Sequence, residues 1–276
     1  MLNDSGQRVR FFRRAGDRPR QRLRRGVYLL PSLMTMGNMF CGYACVVYAA
    51  RGEFETAAPF IGFAIVLDML DGRIARLTGT TSEFGVQFDS LADIISFGIA
   101  PAILAFSWGL GPLGRLGWAA GFLFVAAAAM RLARFNIQAA SGGDKRYFVG
   151  MPSPAAAAIP AATVYAYPWG LYDYRAALPA LAMVLVPALL MVSTIRFRSF
   201  KQIDLHVRRS YTILIVIAAA LVLITTHPRF VLVAMAYVYL ASPFVGMAIT
   251  RMRQRGAPAV PENRPPERAL HDVEQR

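Results

Sequence analysis

Charge is scarce in this chain and lopsided in sign. Only 17% of its 276 residues are charged, and 16 carboxylates face 30 lysines and arginines. Cysteine and histidine are rarer still, at two and three residues. Cys41 and Cys45 stand four apart in one apolar run, a spacing that suits helix packing better than a disulfide, and two thiols alone build no metal centre. His206, His227 and His271 fall in connections or a tail without any partner pattern, which argues against a histidine-based site. The arginines are not interleaved with stacking aromatics, so nucleic acid is not an expected partner. The basic first 26 residues lead into an apolar run with no small-residue cleavage site, which reads as a tail rather than a removable signal peptide.

What the chain does have is apolar surface: 56% of its residues are hydrophobic. A soluble domain of that composition would expose large sticky patches, so the bilayer is the natural solvent. Val27 to Ala50 holds no charged residue and is long enough to cross about 30 Å of hydrocarbon. Further spans are predicted at Ala57–Thr78, Gly85–Trp108, Leu116–Phe135, Tyr147–Tyr172, Ala176–Ile195, Tyr211–Thr226 and Phe230–Thr250. Pro152, Pro154, Pro160 and Pro168 imply kinks and a later helix start in the fifth. The expected fold class is thus an all-α integral membrane protein with about eight transmembrane helices. Residues 1–26 form a basic disordered tail, 27–250 the membrane domain, and 251–276 a Pro-rich disordered tail. Trp108, Trp118 and Trp169 read as interfacial anchors.

Cations concentrate in the N-terminal tail, near Arg73 and Arg76, over Arg131–Arg146, over Arg196–Arg209, and after Thr250. The alternate loops hold isolated cations such as Arg51, Arg115, Arg175 and Arg229. The basic segments lie an even number of spans from the N-terminus, which puts both termini in the cytoplasm by the positive-inside rule. Anionic lipid is an additional partner for the tail.

Against this background four carboxylates stand out. Asp68 and Asp71 share one helix face, as do Asp89 and Asp93, and a short turn separates the two segments. Both pairs sit at the same membrane face by hydropathy alone. Four like charges brought together in a low dielectric repel, so the cluster makes sense around cations. Hard oxygen ligands favour Mg²⁺, Mn²⁺ or Ca²⁺, and a phosphorylated substrate could complete the shell. The alternative is structural pairing with Arg73 and Arg76, but two arginines cannot neutralise four aspartates.

In full the pattern is D-x2-D-G-x2-A-R-x8-G-x3-D-x3-D, with Asp68, Asp71, Gly72, Ala75, Arg76, Gly85, Asp89 and Asp93 all in place. It resembles the signature of the CDP-alcohol phosphatidyltransferase family at every defined position. Other segments resemble the bacterial membrane-integral phosphatidylserine synthases within it: Pro31 to Gly42, Asp89 to Pro101, Arg131 to Asn136, Phe148 to Pro154, and Met191 to Thr194 leading to Phe200 and Lys201. Ser32 departs from the Pro-Asn of many relatives.

The resemblance implies transfer of a phosphatidyl group from CDP-diacylglycerol to the hydroxyl of L-serine, with release of CMP, in the bacterial cytoplasmic membrane with the active site at the cytoplasmic side. It implies two divalent metals, Mg²⁺ or Mn²⁺ with Ca²⁺ a third option, held by Asp68, Asp71, Asp89 and Asp93. Asp93 would be the general base, a role that metal activation of the hydroxyl could share. Gly72, Ala75, Arg76, Gly85, Thr35 and Asn38 are the residues for CDP-diacylglycerol, the two glycines allowing close approach to the backbone. Candidates for serine are Ser96, Arg131, Arg134, Asn136 and Lys145, while Arg131 and Arg134 could equally be a snorkelling interfacial pair. A homodimer is expected from the resemblance alone.

Two rivals stand beside this reading. One is transfer to another alcohol, such as glycerol-3-phosphate, inositol phosphate or choline, because the motif binds the shared CDP half. The other is a cation-coupled transporter, although transporters place such carboxylates near the midplane and often show repeated halves.

Overall fold

The computed structural model describes residues 18–79, 82–140, 148–194, 196–197, 218, 222–223 and 225–255. Its helices are α1 (Arg18–Ala50), α2 (Phe54–Thr78), α3 (Glu83–Asp93), α4 (Ala100–Ala105), α5 (Arg115–Ala140), α6 (Ser153–Ala166), α7 (Tyr174–Val192) and α8 (Pro228–Arg255). Two π-helical turns, Ile94–Ile99 and Phe106–Leu110, join α3 through α4 to a short 3-10 turn at Gly111–Leu113. The strands β1 (Phe148–Val149) and β2 (Arg196–Phe197) form one antiparallel rung pair, Phe148 opposite Phe197 and Val149 opposite Arg196. Among the described residues the protein is therefore helical apart from this clip and the connecting turns.

Pro31–Ala50, Glu83–Leu113, Arg115–Gln138 and Tyr174–Val192 are long and apolar enough to cross a membrane, and Pro228–Phe244 is a shorter apolar stretch. Helix α2 matches them in length, but Glu55, Asp68, Asp71, Arg73 and Arg76 dilute its apolar run. The expected fifth span contracts to α6, starting at Ser153 because Pro152 is extended and Pro154 suits a first turn. Most of Tyr211–Thr226 lies outside the described residues. At both ends helix runs further than the apolar stretches: α1 begins at Arg18, inside the expected tail, and α8 ends at Arg255. Arginine, glutamine and leucine are good helix formers, so helix continues where the hydrophobic run stops.

Small residues set the packing. Cys45 and Ala49 of α1, Ala57, Ala58 and Ala64 of α2, Ala100 and Ala105 of α4, and Ala156 and Ala157 of α6 are all buried. Apolar side chains gain little by leaving lipid for protein, so close backbone approach through small residues is what draws such helices together. The tightest approach is at Gly42 of α1, where a Cβ would lie 2.6 Å from Ser96 Oγ and 2.8 Å from Ser96 Cα.

One end of the bundle is locked by polar contacts. Arg229 at the start of α8 pairs with Glu55 at the start of α2 and stacks over Tyr165 near the end of α6. Trp108 is buried there. Its Nε1 donates to the Tyr167 carbonyl at 2.7 Å, and its own carbonyl accepts from Leu171 N at 2.7 Å. Trp108 is therefore a core residue and not an interfacial anchor, whereas Trp118 and Trp169 are largely exposed, as anchors require. The aspartates collect at the other end.

Candidate active site

Asp68 and Asp71 lie in the C-terminal half of α2, and Asp89 and Asp93 on the short α3 that follows. The turn between them is built by two caps. Gly79 takes a left-handed conformation (φ 63°) and returns its N–H to the Ala75 carbonyl, and Ser82 caps α3 by accepting from Gly85 N at 3.0 Å. The chain reverses within a few residues, so the two carboxylate faces meet.

Oxygens of Asp68, Asp71 and Asp89 all lie within 4.8 Å of one another. At that distance, with an effective dielectric of about 20, each ionised pair repels by about 3 kcal/mol or more. Among the described residues none of the four aspartates forms a salt bridge to Arg73 or Arg76, so the structural-pairing alternative is not what is observed. Asp89 Oδ1 is buried with no hydrogen-bond partner. An orphaned buried acceptor costs about 1–3 kcal/mol, and a hard cation would relieve both it and the repulsion. The donor set fits a divalent metal.

Asp93 stands beside this trio rather than in it. It lies within electrostatic reach of Asp68, Asp89 and Asp71 and accepts from Asn38 Nδ2 at 3.3 Å. Asp71 is buried, and its Oδ2 lies 3.0 Å from the Thr35 hydroxyl. That hydroxyl is also 3.1 Å from the Pro31 carbonyl, so its single hydrogen serves one acceptor at a time. Thr35 and Asn38, expected to touch the nucleotide, thus hold carboxylates through α1. Asn38 is fully buried and its Oδ1 has no partner, a second orphaned acceptor in the same place.

The remaining site candidates divide. A Cβ on Gly72 would meet nothing nearer than Arg76 Nη2 at 3.9 Å, so open space faces this glycine. Arg76 is exposed, Ala75 is half-buried, and Gly85 abuts its own cap. Ser96 is buried and donates to the Asn38 carbonyl at 2.8 Å, which makes it a strut between the first π turn and α1. Arg134 Nη1 donates to the Val192 carbonyl at 3.2 Å, tying α5 to the end of α7. Asn136 Nδ2 donates to Ser90 Oγ at 2.9 Å. Arg131 points elsewhere: its Nη1 donates to Ser153 Oγ at 2.8 Å, and its charge reaches Asp93, Tyr239 and Asp68. Lys145 lies outside the described residues. The sequence marks neither Ser153 nor Tyr239 as a site residue. Ser153 does sit in one of the segments that carry the resemblance, whereas Tyr239 has no local signal.

The family model described as CDP-alcohol phosphatidyltransferase matches residues 28–194, from α1 to just past the end of α7. The chain belongs to this family. All of the aspartate signature falls within the matched segment, and α8 with Tyr239 falls outside it. Within this family the chain is 38% identical over 197 residues to a CDP-diacylglycerol–serine O-phosphatidyltransferase of Helicobacter pylori, covering 71% of this chain and 83% of that protein. It is 39% identical over 144 residues to the enzyme of the same name from Mycobacterium leprae, covering 51% and 48%. An archaetidylserine synthase of Methanothermobacter thermautotrophicus is 35% identical over 170 residues, covering 61% and 69%.

Proposed function

We propose that this integral membrane protein is a phosphatidylserine synthase, transferring the phosphatidyl group of CDP-diacylglycerol to L-serine and releasing CMP. The observation that carries the reading is the convergence of Asp68, Asp71 and Asp89 within 4.8 Å, with Asp93 alongside, in a chain whose relatives are named CDP-diacylglycerol–serine O-phosphatidyltransferase and archaetidylserine synthase.

In this reading the serine hydroxyl oxygen bonds the phosphorus that carries diacylglycerol, and the phosphorus–oxygen bond to CMP breaks. Asp93, steadied by Asn38, takes the hydroxyl proton. Gly72 leaves room for the nucleotide half, and Arg76 donates to its phosphates. Arg131 faces the serine carboxylate. Two divalent cations, Mg²⁺ or Mn²⁺, held by Asp68, Asp71, Asp89 and Asp93 would neutralise the diphosphate and the charge that develops on it.

The basic helix ends support a cytoplasmic site, because Arg73, Arg76 and Arg134 belong to the aspartate end of the bundle. Eight spans, a catalytic domain over 27–250 and a homodimer complete the proposal. The carboxylates fall in the C-terminal half of α2 and the first eleven residues of the 31-residue run Glu83–Leu113, toward one end of the bundle, which favours an enzyme over a transporter.

The test is CMP release and lipid identification with purified protein in liposomes containing CDP-diacylglycerol, offering one alcohol at a time with Mn²⁺ or Mg²⁺. Phosphatidylserine formed only with serine is expected. Product with another alcohol alone would keep the phosphotransfer chemistry and overturn the serine assignment.

A further inference from the structure

Arg131 feels Asp93 and Asp68 at a distance but bonds neither carboxylate directly. Its side chain is largely buried, yet among the described residues it makes no salt bridge, and its one hydrogen bond goes to the neutral Ser153 hydroxyl. Buried charges are ordinarily paired, and a guanidinium carries five donors, so most of this fork is available for an anionic group. Asp93 and Asp68 lie within electrostatic reach of this guanidinium.

The partner that fixes the fork is itself held rigidly. Ser153 is buried, at 3% exposure, and is the first residue of α6. The segment before it is clamped to the end of α7. Gly150 adopts φ 86°, a Cβ there would lie 2.5 Å from the Met191 carbonyl, and Met151 N donates to the Leu190 carbonyl at 3.0 Å. Pro152 leads in with extended ψ, and its carbonyl accepts from Ala156 N at 2.9 Å to open the helix. Ser153 Oγ is therefore a fixed acceptor presented to α5 by α6 and α7, and it anchors Nη1 of the Arg131 guanidinium. A planar fork recognises a carboxylate bidentately only when its plane is set.

We infer that Ser153 is a positioning residue for the acceptor substrate: by orienting Arg131 it selects alcohols that carry a carboxylate next to the reacting hydroxyl. This rests on the proposed serine-transfer reaction and adds a residue that does not touch the phosphates. Its signature is a split between the two substrates. Removing the hydroxyl frees Arg131 to rotate and weakens acceptor binding, while the CDP-diacylglycerol half keeps Gly72, Arg76 and the aspartates.

The experiment compares wild type, Ser153→Ala and Ser153→Thr in liposomes, measuring KM for L-serine and for CDP-diacylglycerol. Ser153→Ala is expected to raise the serine KM about tenfold, the scale of one charge-assisted hydrogen bond, with the CDP-diacylglycerol KM and kcat changed less than about threefold. Preference for L-serine over its methyl ester, which lacks the carboxylate, should fall by the same factor, and Ser153→Thr should restore most of it. An unchanged serine KM, or parallel losses in both KM values and kcat, overturns the inference. A wild-type protein that forms no phosphatidylserine overturns the underlying reaction instead, and the wild-type arm alone reveals it.

Discussion

Asn38 and Asp93 are 55 positions apart and meet through a 3.3 Å hydrogen bond from the Asn38 amide to Asp93 Oδ1. The same asparagine takes the Ser96 hydroxyl on its carbonyl, so α1 grips the carboxylate and the π turn that begins one residue later. Asp93 is thus aimed by a neighbouring helix rather than by α3 alone. Asp93→Asn should preserve shape and remove the proton acceptor. CMP release should fall about 10²–10⁴-fold, the usual contribution of a general base, with unchanged elution in detergent. Activity within a few fold of wild type would assign the proton to another group.

The grip on the π turn predicts a steric result. Gly42→Ala drives a Cβ to 2.6 Å from Ser96 Oγ and 2.8 Å from its Cα, and backbone cannot move aside cheaply. Overpacking of this sort costs about 1–3 kcal/mol. Thermal unfolding in detergent should shift down, and activity should drop because Ser96 carries Asp93 with it. Gly62→Ala is the control: its Cβ would meet nothing within 4 Å, and both readouts should stay near wild type.

The aspartate pairs, their turn and their shared end of the bundle are legible in the sequence because charge in an apolar run is conspicuous and helical spacing fixes faces. Helix limits are less legible. Arg18–Arg25 and Arg251–Arg255 are helical although nothing apolar requires it, and α6 is shorter than its uncharged stretch. Tertiary partners are not legible at all. Trp108 turns inward because the Tyr167 carbonyl accepts its N–H, and Ser96 and Arg134 each donate to a backbone carbonyl of another helix. Those choices depend on which helix lies alongside, which hydropathy does not encode.

Metal removal tests the carboxylate trio. Chelation with EDTA should abolish CMP release, and Mn²⁺ or Mg²⁺ should restore it. A cation that binds only the folded state at one hundred times its Kd adds about 2.7 kcal/mol, so the melting temperature should rise with added metal. Asp89→Asn weakens a ligand whose Oδ1 has no other hydrogen-bond partner, and the metal-dependent rise should shrink. Full activity in chelator would leave the trio without its proposed occupant.

The far end of the bundle gives the opposite expectation. Glu55 and Arg229 join α2 to α8, and their side chains are 62% and 39% exposed. Exposed pairs contribute less than about 1 kcal/mol because water and salt screen them. Arg229 also stacks over Tyr165 at 5.8 Å, which leaves some contact when the carboxylate alone is removed. Glu55→Gln should therefore melt close to wild type and keep full CMP release. Arg229→Ala, losing pair and stack together, should melt slightly lower with kcat unchanged. A large fall in kcat from either substitution would mean that this end communicates with the aspartates, and the two ends could no longer be treated as separate parts of the bundle.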